Sequence, residues 1–289
     1  MNQIKTVALL AVLSGLLITI SYTVLGGWGG AMLGIVLAAL TNLVSWYYSD
    51  KIALAAYGAQ PITSQDAPQL YRLVQQLSDR AGLPMPQVYI VPTDAANAFA
   101  TGRDPQHAAV AVTRGLLHLL PLEELEGVLA HELSHVANRD TLTQAVAATI
   151  AGAIAFLAQM LSYTLFFFGG RNNEEGGNPL GLLFTIILAP IIATILQLSI
   201  SRTREFAADA KAAQLTGNPK ALANALQRLD YQAKQQVMPG NPAFEPLLIT
   251  NNSRKALFAN LFSTHPSTQA RIEKLLERET FDPPAYVAW

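Results

Sequence analysis

Two patterns of apolar residues alternate along this chain: long uninterrupted runs, and shorter segments in which apolar and polar positions take turns. From Thr6 to Ser49 there is no Asp, Glu, Lys or Arg, and only Gly26-Gly27-Trp28-Gly29-Gly30 divides the run. Each side supplies roughly 20 residues, about what one helix needs to cross a bilayer core. The pattern predicts a helical hairpin in residues 1–50, with spans about 6–25 and 31–48, and an interfacial belt of Trp46, Tyr47 and Tyr48. A secretory signal peptide fits the first span less well, because no small-x-small cleavage site precedes the second. Two further uncharged runs, Thr141 to Gly170 and Gly176 to Ser201, flank the polar loop Arg171 to Glu175. They predict a second hairpin in residues 141–201, with spans about 141–168 and 180–200.

The segments between the spans carry shorter periods. Asp66 to Ala81 repeats Leu70, Leu73, Val74 and Leu77 at helical spacing and stops at Gly82 and Pro84. Val88 to Val91, Ala98 to Thr101 and Ala108 to Val112 read as strands, the last two joined as a hairpin by Gly102-Arg103-Asp104-Pro105. Pro121 opens a helix whose first turns hold Glu123, Glu124 and Glu126, a solvated start that complements the helix dipole. Arg204 to Leu215, Lys220 to Gln235 and roughly Ser267 to Glu279 are helical, the last with Ile272, Leu275 and Leu276 inward. The fold class expected is therefore an integral membrane protein, mainly α with a small β-sheet. Residues 51–140 and 202–289 form two parts of one polar domain.

Composition sharpens this picture. The chain has 289 residues, 51% hydrophobic and 13% charged, against about 25% charged in soluble domains; the deficit sits in the spans. A formal charge of −1 offers no basic surplus for nucleic acid, and the absence of cysteine excludes disulfides, thiolate nucleophiles and Cys-ligated metal. Lys5, Lys51, Arg139, Arg202 and Arg204 fall on one side of four alternating spans and only Arg171 on the other. The positive-inside rule then makes the N-terminus and both polar segments cytoplasmic.

The candidate chemistry lies in the helix after Pro121, at His131-Glu132-Leu133-Ser134-His135. Residues four apart share a helix face, so both imidazoles reach one metal ion, and Glu132 flanks them where it accepts a proton from water on the metal. A catalytic zinc takes three protein ligands and leaves the fourth position open. Glu205 and Asp209, four apart just after the fourth span, supply a candidate third ligand and a candidate acceptor for a ligand imidazole N–H. Both motifs adjoin membrane spans and emerge on the same face. His107 and His118 have no partner at ligand spacing. By residue type alone, His265 before Pro266 is a loop residue and Arg271 an exposed helix charge.

The chain resembles the HtpX-type membrane metalloproteases, a zinc peptidase family that also includes the prenyl-protein (CAAX) endopeptidases. The resemblance rests on Asn97-Ala98-Phe99-Ala100-Thr101-Gly102, on His131 to His135 with Asn138 and Asp140, on Arg202 to Asp209, and on Ser263-Thr264-His265-Pro266-Ser267 with Arg271-Ile272. It implies a zincin-like domain holding one zinc ion per chain on His131, His135 and Glu205. Glu132 is then the general base and Asp209 the partner behind a ligand. It further implies an edge strand at Asn97, Ala98, Phe99 and Ala100 that binds an extended substrate backbone, with His265 near the substrate carbonyl and Arg271 as a charge anchor. The function implied is endopeptidase action on membrane-associated or misfolded polypeptides, in protein quality control, at the cytoplasmic face of a bacterial inner membrane. Two alternatives stay open. A prenyl-protein endopeptidase shares the zinc chemistry, although that branch resembles a larger multi-span chamber. A non-catalytic zinc-stabilised scaffold has no use for Glu132.

Overall fold

The computed structural model describes residues 27–149, 202–236 and 266–281 continuously, with single positions inside 7–22 and 238–249. In chain order the elements are α1 (Gly27–Ala56), β1 (Gln60–Pro61), α2 (Pro68–Ala81), β2 (Gln87–Val91), β3 (Ala98–Gly102), a 3-10 turn (Pro105–His107), β4 (Ala108–Thr113), α3 (Arg114–Leu119), α4 (Leu122–Ala137), α5 (Arg202–Thr216), α6 (Pro219–Ala233) and α7 (Thr268–Phe281). A further helical stretch occupies 140–149. Half of the first expected span, the third and fourth beyond residue 149, and His265 lie outside the described residues.

The second expected span is longer than its apolar pattern. α1 takes in Gly27 to Gly30, which the sequence reads as a divider, and continues past Tyr48 to Ala56. Its stretch Gly27–Val44 is long and apolar enough to cross a membrane. Asp50 and Lys51 do not end the helix because the turn beyond them has a tertiary partner: Ala53, Leu54 and Tyr57 are buried, and the Tyr57 ring lies 5.3 Å from that of Phe99. At the middle of the helix, Asn42 donates to the Ser14 hydroxyl at 2.8 Å and ties the first expected span to α1.

The sheet order is β1-β2-β4-β3, with β2 and β4 parallel and β3 antiparallel to β4, so the expected hairpin is present and β3 is an edge strand among the described residues. Every residue of β3 and β4 is buried, as expected for short apolar runs covered on both faces. On one face Ala98, Ala100, Val110 and Val112 pack with Leu70, Val74 and Leu77 of α2, Val128, Leu129 and Leu133 of α4, and Leu222 and Leu226 of α6. On the other, Phe99, Ala109 and Ala111 meet the end of α1 together with Met238, Phe244, Leu247 and Leu248. Small residues let α4 lie close: a Cβ on Gly127 would come within 3.1 Å of the Leu222 backbone.

α3 escapes sequence reading because one and a half turns carry no period. Thr113 caps it, its hydroxyl accepting from the Leu116 N–H at 3.1 Å. Gly115 in its first turn has no room for a side chain, since a Cβ would stand 2.0 Å from the Asp94 carbonyl oxygen. Gly115→Ala is therefore expected to cost about 3 kcal/mol through backbone displacement, read as a lower unfolding midpoint in detergent. An unchanged midpoint would show that the 93–95 loop yields freely.

Candidate metal centre

α4 carries His131 and His135 one turn apart with their Nε2 atoms 3.2 Å from each other. α5 crosses against it and brings Glu205, whose carboxylate oxygens lie 3.7 Å from His131 Nε2 and 3.5 Å from His135 Nε2. All three side chains are at most 5% exposed. Donor atoms 2.0–2.1 Å from a tetrahedral ion stand about 3.3 Å from one another, so these spacings fit a single zinc ion. The three residues are the group of His, Asp and Glu among the described residues able to hold one.

The outward nitrogens fix the tautomers. His131 Nδ1 lies 2.9 Å from Asp209 Oδ1, and His135 Nδ1 lies 3.2 Å from Asp140 Oδ2. With each Nδ1–H donated to a carboxylate, both Nε2 lone pairs point at the shared space, and two facing lone pairs need a cation between them. Asp209 was expected behind a ligand. Asp140 carries the same function for His135 and was recognised in the sequence only as part of a resemblance. Arg204 in turn donates to Asp140 at 3.2 Å.

Arg271 belongs to the centre and is not the exposed charge that its helix position suggests. It is 2% exposed, its Nε and Nη2 donate to the two Asp209 oxygens at 2.8 and 2.7 Å, and its Nη1 donates to the Ile249 carbonyl at 3.2 Å. A buried guanidinium with a bidentate carboxylate is strongly favoured over either ion alone. Burial raises the Asp209 pKa, but the Arg271 charge and its hydrogen bonds outweigh burial and hold the group down at about 2. Burial, followed by the Arg271 charge, lowers the His131 pKa, which keeps this imidazole neutral and able to ligate. Burial lowers His135 as well, yet the Glu205 charge and the bond to Asp140 overcome it and raise the group to about 9.

That last value gives a sign to metal binding. A proton on His135 partly balances Glu205 in the metal-free protein and must leave when the nitrogen ligates. Zinc affinity is thus expected to rise about tenfold per pH unit up to about 9, with about one proton released per ion. Calorimetry in buffers of different ionisation enthalpy reads the proton directly; no release at pH 8 would refute it.

Glu132 is 3% exposed and burial raises its carboxyl to about 7, the Glu205 charge adding to this and His135 opposing it. The Ala100 backbone N–H donates to the Glu132 carboxylate. That contact follows from the ladder. Thr113 N–H bonds the Asn97 carbonyl, so alternation turns residues 97, 99 and 101 toward β4 and the amides of Ala98, Ala100 and Gly102 toward the open edge. The Ala98 carbonyl accepts from the Ile249 N–H at 3.1 Å and the Gly102 carbonyl from the Thr141 hydroxyl at 2.9 Å, which leaves Ala100 between them beside Glu132.

The four residues expected to hold substrate thus divide. Ala98 and Ala100 present backbone to the edge. Phe99 turns into the core against Tyr57, and Asn97 is fully buried, its Oδ1 accepting from the N–H groups of Ala98 and Ile249 at 3.0 and 3.1 Å. Sequence reasoning gave no role to 237–252; Met238, Phe244, Leu247, Leu248 and Ile249 in it are buried.

A pair of histidines that needs a cation, with a poised carboxylate beside an open strand edge, describes a metal-dependent peptidase. Comparison with known proteins agrees. The profile of Peptidase family M48 matches residues 64–279. "Protease HtpX homolog" of Trichormus variabilis is 67% identical over 280 residues, covering 96% of this chain and 97% of its own. The Pyrococcus furiosus protein of that description is 47% identical over 273 residues, covering 94% of each. The crystal structure of S. mikatae Ste24p has the same fold at 19% identity, with a TM-score of 0.50 over 92% of this chain and 65% of that longer one. The chain belongs to Peptidase family M48 and is a metalloprotease.

Proposed function

We propose that this chain is a zinc-dependent, membrane-bound endopeptidase that cleaves membrane-associated or misfolded polypeptides at the cytoplasmic face of a bacterial inner membrane. His131, His135 and Glu205 hold one zinc ion per chain. The observation that carries the reading is the spacing of three buried donors, 3.2 to 3.7 Å apart, with Glu132 beside the outward amide of Ala100. Four spans, arranged as the charge distribution suggests, anchor the two halves of the catalytic domain on one side.

Zinc bound there supplies Lewis acidity, polarising the scissile carbonyl and making a water more acidic. The protein does the rest. Glu132, with a carboxyl near 7, takes a proton from the attacking water and returns it to the leaving amine. Asp209 and Asp140 keep His131 and His135 in the ligating tautomer, and Arg271 keeps Asp209 ionised. The open edge at Ala100 aligns substrate through backbone groups, so the side chains of the substrate matter little. This suits an enzyme that clears unfolded chains of varied sequence.

The test is the full-length protein purified under chelator, returned to vesicles and given an unfolded protein substrate. Zinc is expected to restore cleavage, and undiminished cleavage in excess chelator would overturn the assignment.

A further inference from the structure

The direction of β3 relative to α1 says where on its substrate this enzyme cuts. On α1, exposed aromatic rings stand at Trp28 and at Trp46, Tyr47 and Tyr48. Trp28 and Trp46 are about 27 Å apart along a helix, close to the roughly 30 Å of a bilayer core. Tyr47 therefore marks the membrane surface and Tyr57 lies about 15 Å beyond it. β3 touches α1 at both levels. Phe99 packs on Tyr57 with ring centroids 5.3 Å apart, while the Arg103 guanidinium, just past the other end of the strand, lies 4.6 Å from the Tyr47 ring centre. Phe99 to Arg103 is about 13 Å of extended chain. The two lengths agree, so the strand descends alongside α1 with its Gly102 end at the membrane surface.

A second contact places the same end independently. The Thr141 hydroxyl donates to the Gly102 carbonyl at 2.9 Å, and Thr141 begins the stretch that the sequence reads as the third span. Both outer carbonyls of the edge are taken, that of Ala98 by the Ile249 N–H and that of Gly102 by the Thr141 hydroxyl, so Ala100 beside Glu132 is the edge position between them. A membrane-anchored chain reaches it by rising from the Gly102 level.

We infer that polypeptides anchored in the same membrane are cut about three residues from the end of their membrane span. Ala100 stands about 10 Å, or three extended residues, above the Arg103 level. This rests on the membrane-bound zinc peptidase reading above and adds to it the position of the cut. A neighbouring span also concentrates the cleavable segment at the edge, an advantage a free chain lacks.

The experiment uses the full-length zinc-loaded protein in phospholipid vesicles. One substrate is a single apolar helix of about 20 residues followed on the catalytic side by a uniform polar linker; a second has linker and span in the reverse order; a third is the linker alone. Cut positions are mapped by mass spectrometry. For at least one order, cuts about three residues from the span are expected to be enriched about tenfold over the same positions in the free linker. Cuts spread evenly in both anchored substrates would overturn the inference and leave the peptidase reading standing. No cutting of any of the three would overturn both.

Discussion

Glu132→Gln is expected to slow cleavage by a factor of about 10³ while leaving zinc bound. Gln has the shape of Glu and keeps an oxygen for the Ala100 N–H, so the local structure has no reason to change. It has no basic carboxylate, and no other described carboxylate can replace it. Glu205 is committed to the imidazoles, Asp209 to Arg271 and His131, and Asp140 to His135 and Arg204. Titration of this carboxylate further implies an acidic limb in kcat/KM, present in the wild type and absent from the residual activity of the variant, and lying below the value of about 7 of the metal-free protein because the charge of a bound zinc opposes the effect of burial. Metal analysis and rates on the same preparation check both parts. Retained turnover at wild-type rate would remove Glu132 from the mechanism.

Glu205→Gln should act on the metal instead, weakening zinc binding by at least about 100-fold, the upper end of what even an outer partner costs. Two effects combine. The change removes the anionic ligand, and it removes the strongest upward influence on His135, whose proton then leaves at lower pH. The variant is thus expected to bind zinc weakly and to release less than the wild-type proton per ion near pH 8. Equilibrium dialysis against a zinc buffer reads the first effect and calorimetry the second. Full stoichiometry at unchanged affinity would take Glu205 out of the ligand set. Because Glu205 and Glu132 fail differently, one by losing metal and the other by keeping it idle, the pair separates ligation from proton transfer.

What was legible in the sequence follows the range of the forces involved. The His131 to His135 spacing is local helix geometry, and the strand hairpin around Gly102 to Pro105 is local turn chemistry; both stand in the structure as read. Glu205 and Asp209 were legible because each sits at a fixed place after an apolar run. Arg271 was assigned by resemblance, since an arginine in an amphipathic helix looks solvated until the fold turns it onto Asp209. The role of Asp140 has the same cause: five residues past His135 is not a helical neighbour, and it reaches the imidazole because the chain breaks at Asn138 and Arg139, the latter with a positive φ of 57°. α1 outran its apolar pattern because its last turns are held by Phe99 and not by lipid. The segment holding Met238, Phe244, Leu247 and Leu248 gave no period at all, and the burial of these four depends on a sheet face built elsewhere in the chain.

That sheet face links the parts of the molecule. Phe99 packs on Tyr57 and Arg103 on Tyr47, so the position of β3 is tied to α1. Arg271 bridges Ile249 and Asp209, so the segment bonded to the Ala98 end of β3 is joined to the carboxylate behind His131.

The most direct measurement of the central claim is zinc-edge X-ray absorption on the full-length protein loaded with one equivalent of zinc. The expected spectrum has two imidazole nitrogens and two oxygens at about 2.0 to 2.2 Å, with one of those oxygens lost or lengthened in Glu205→Gln. A spectrum with fewer than two imidazoles, identical in the wild type and in Glu205→Gln, would contradict it.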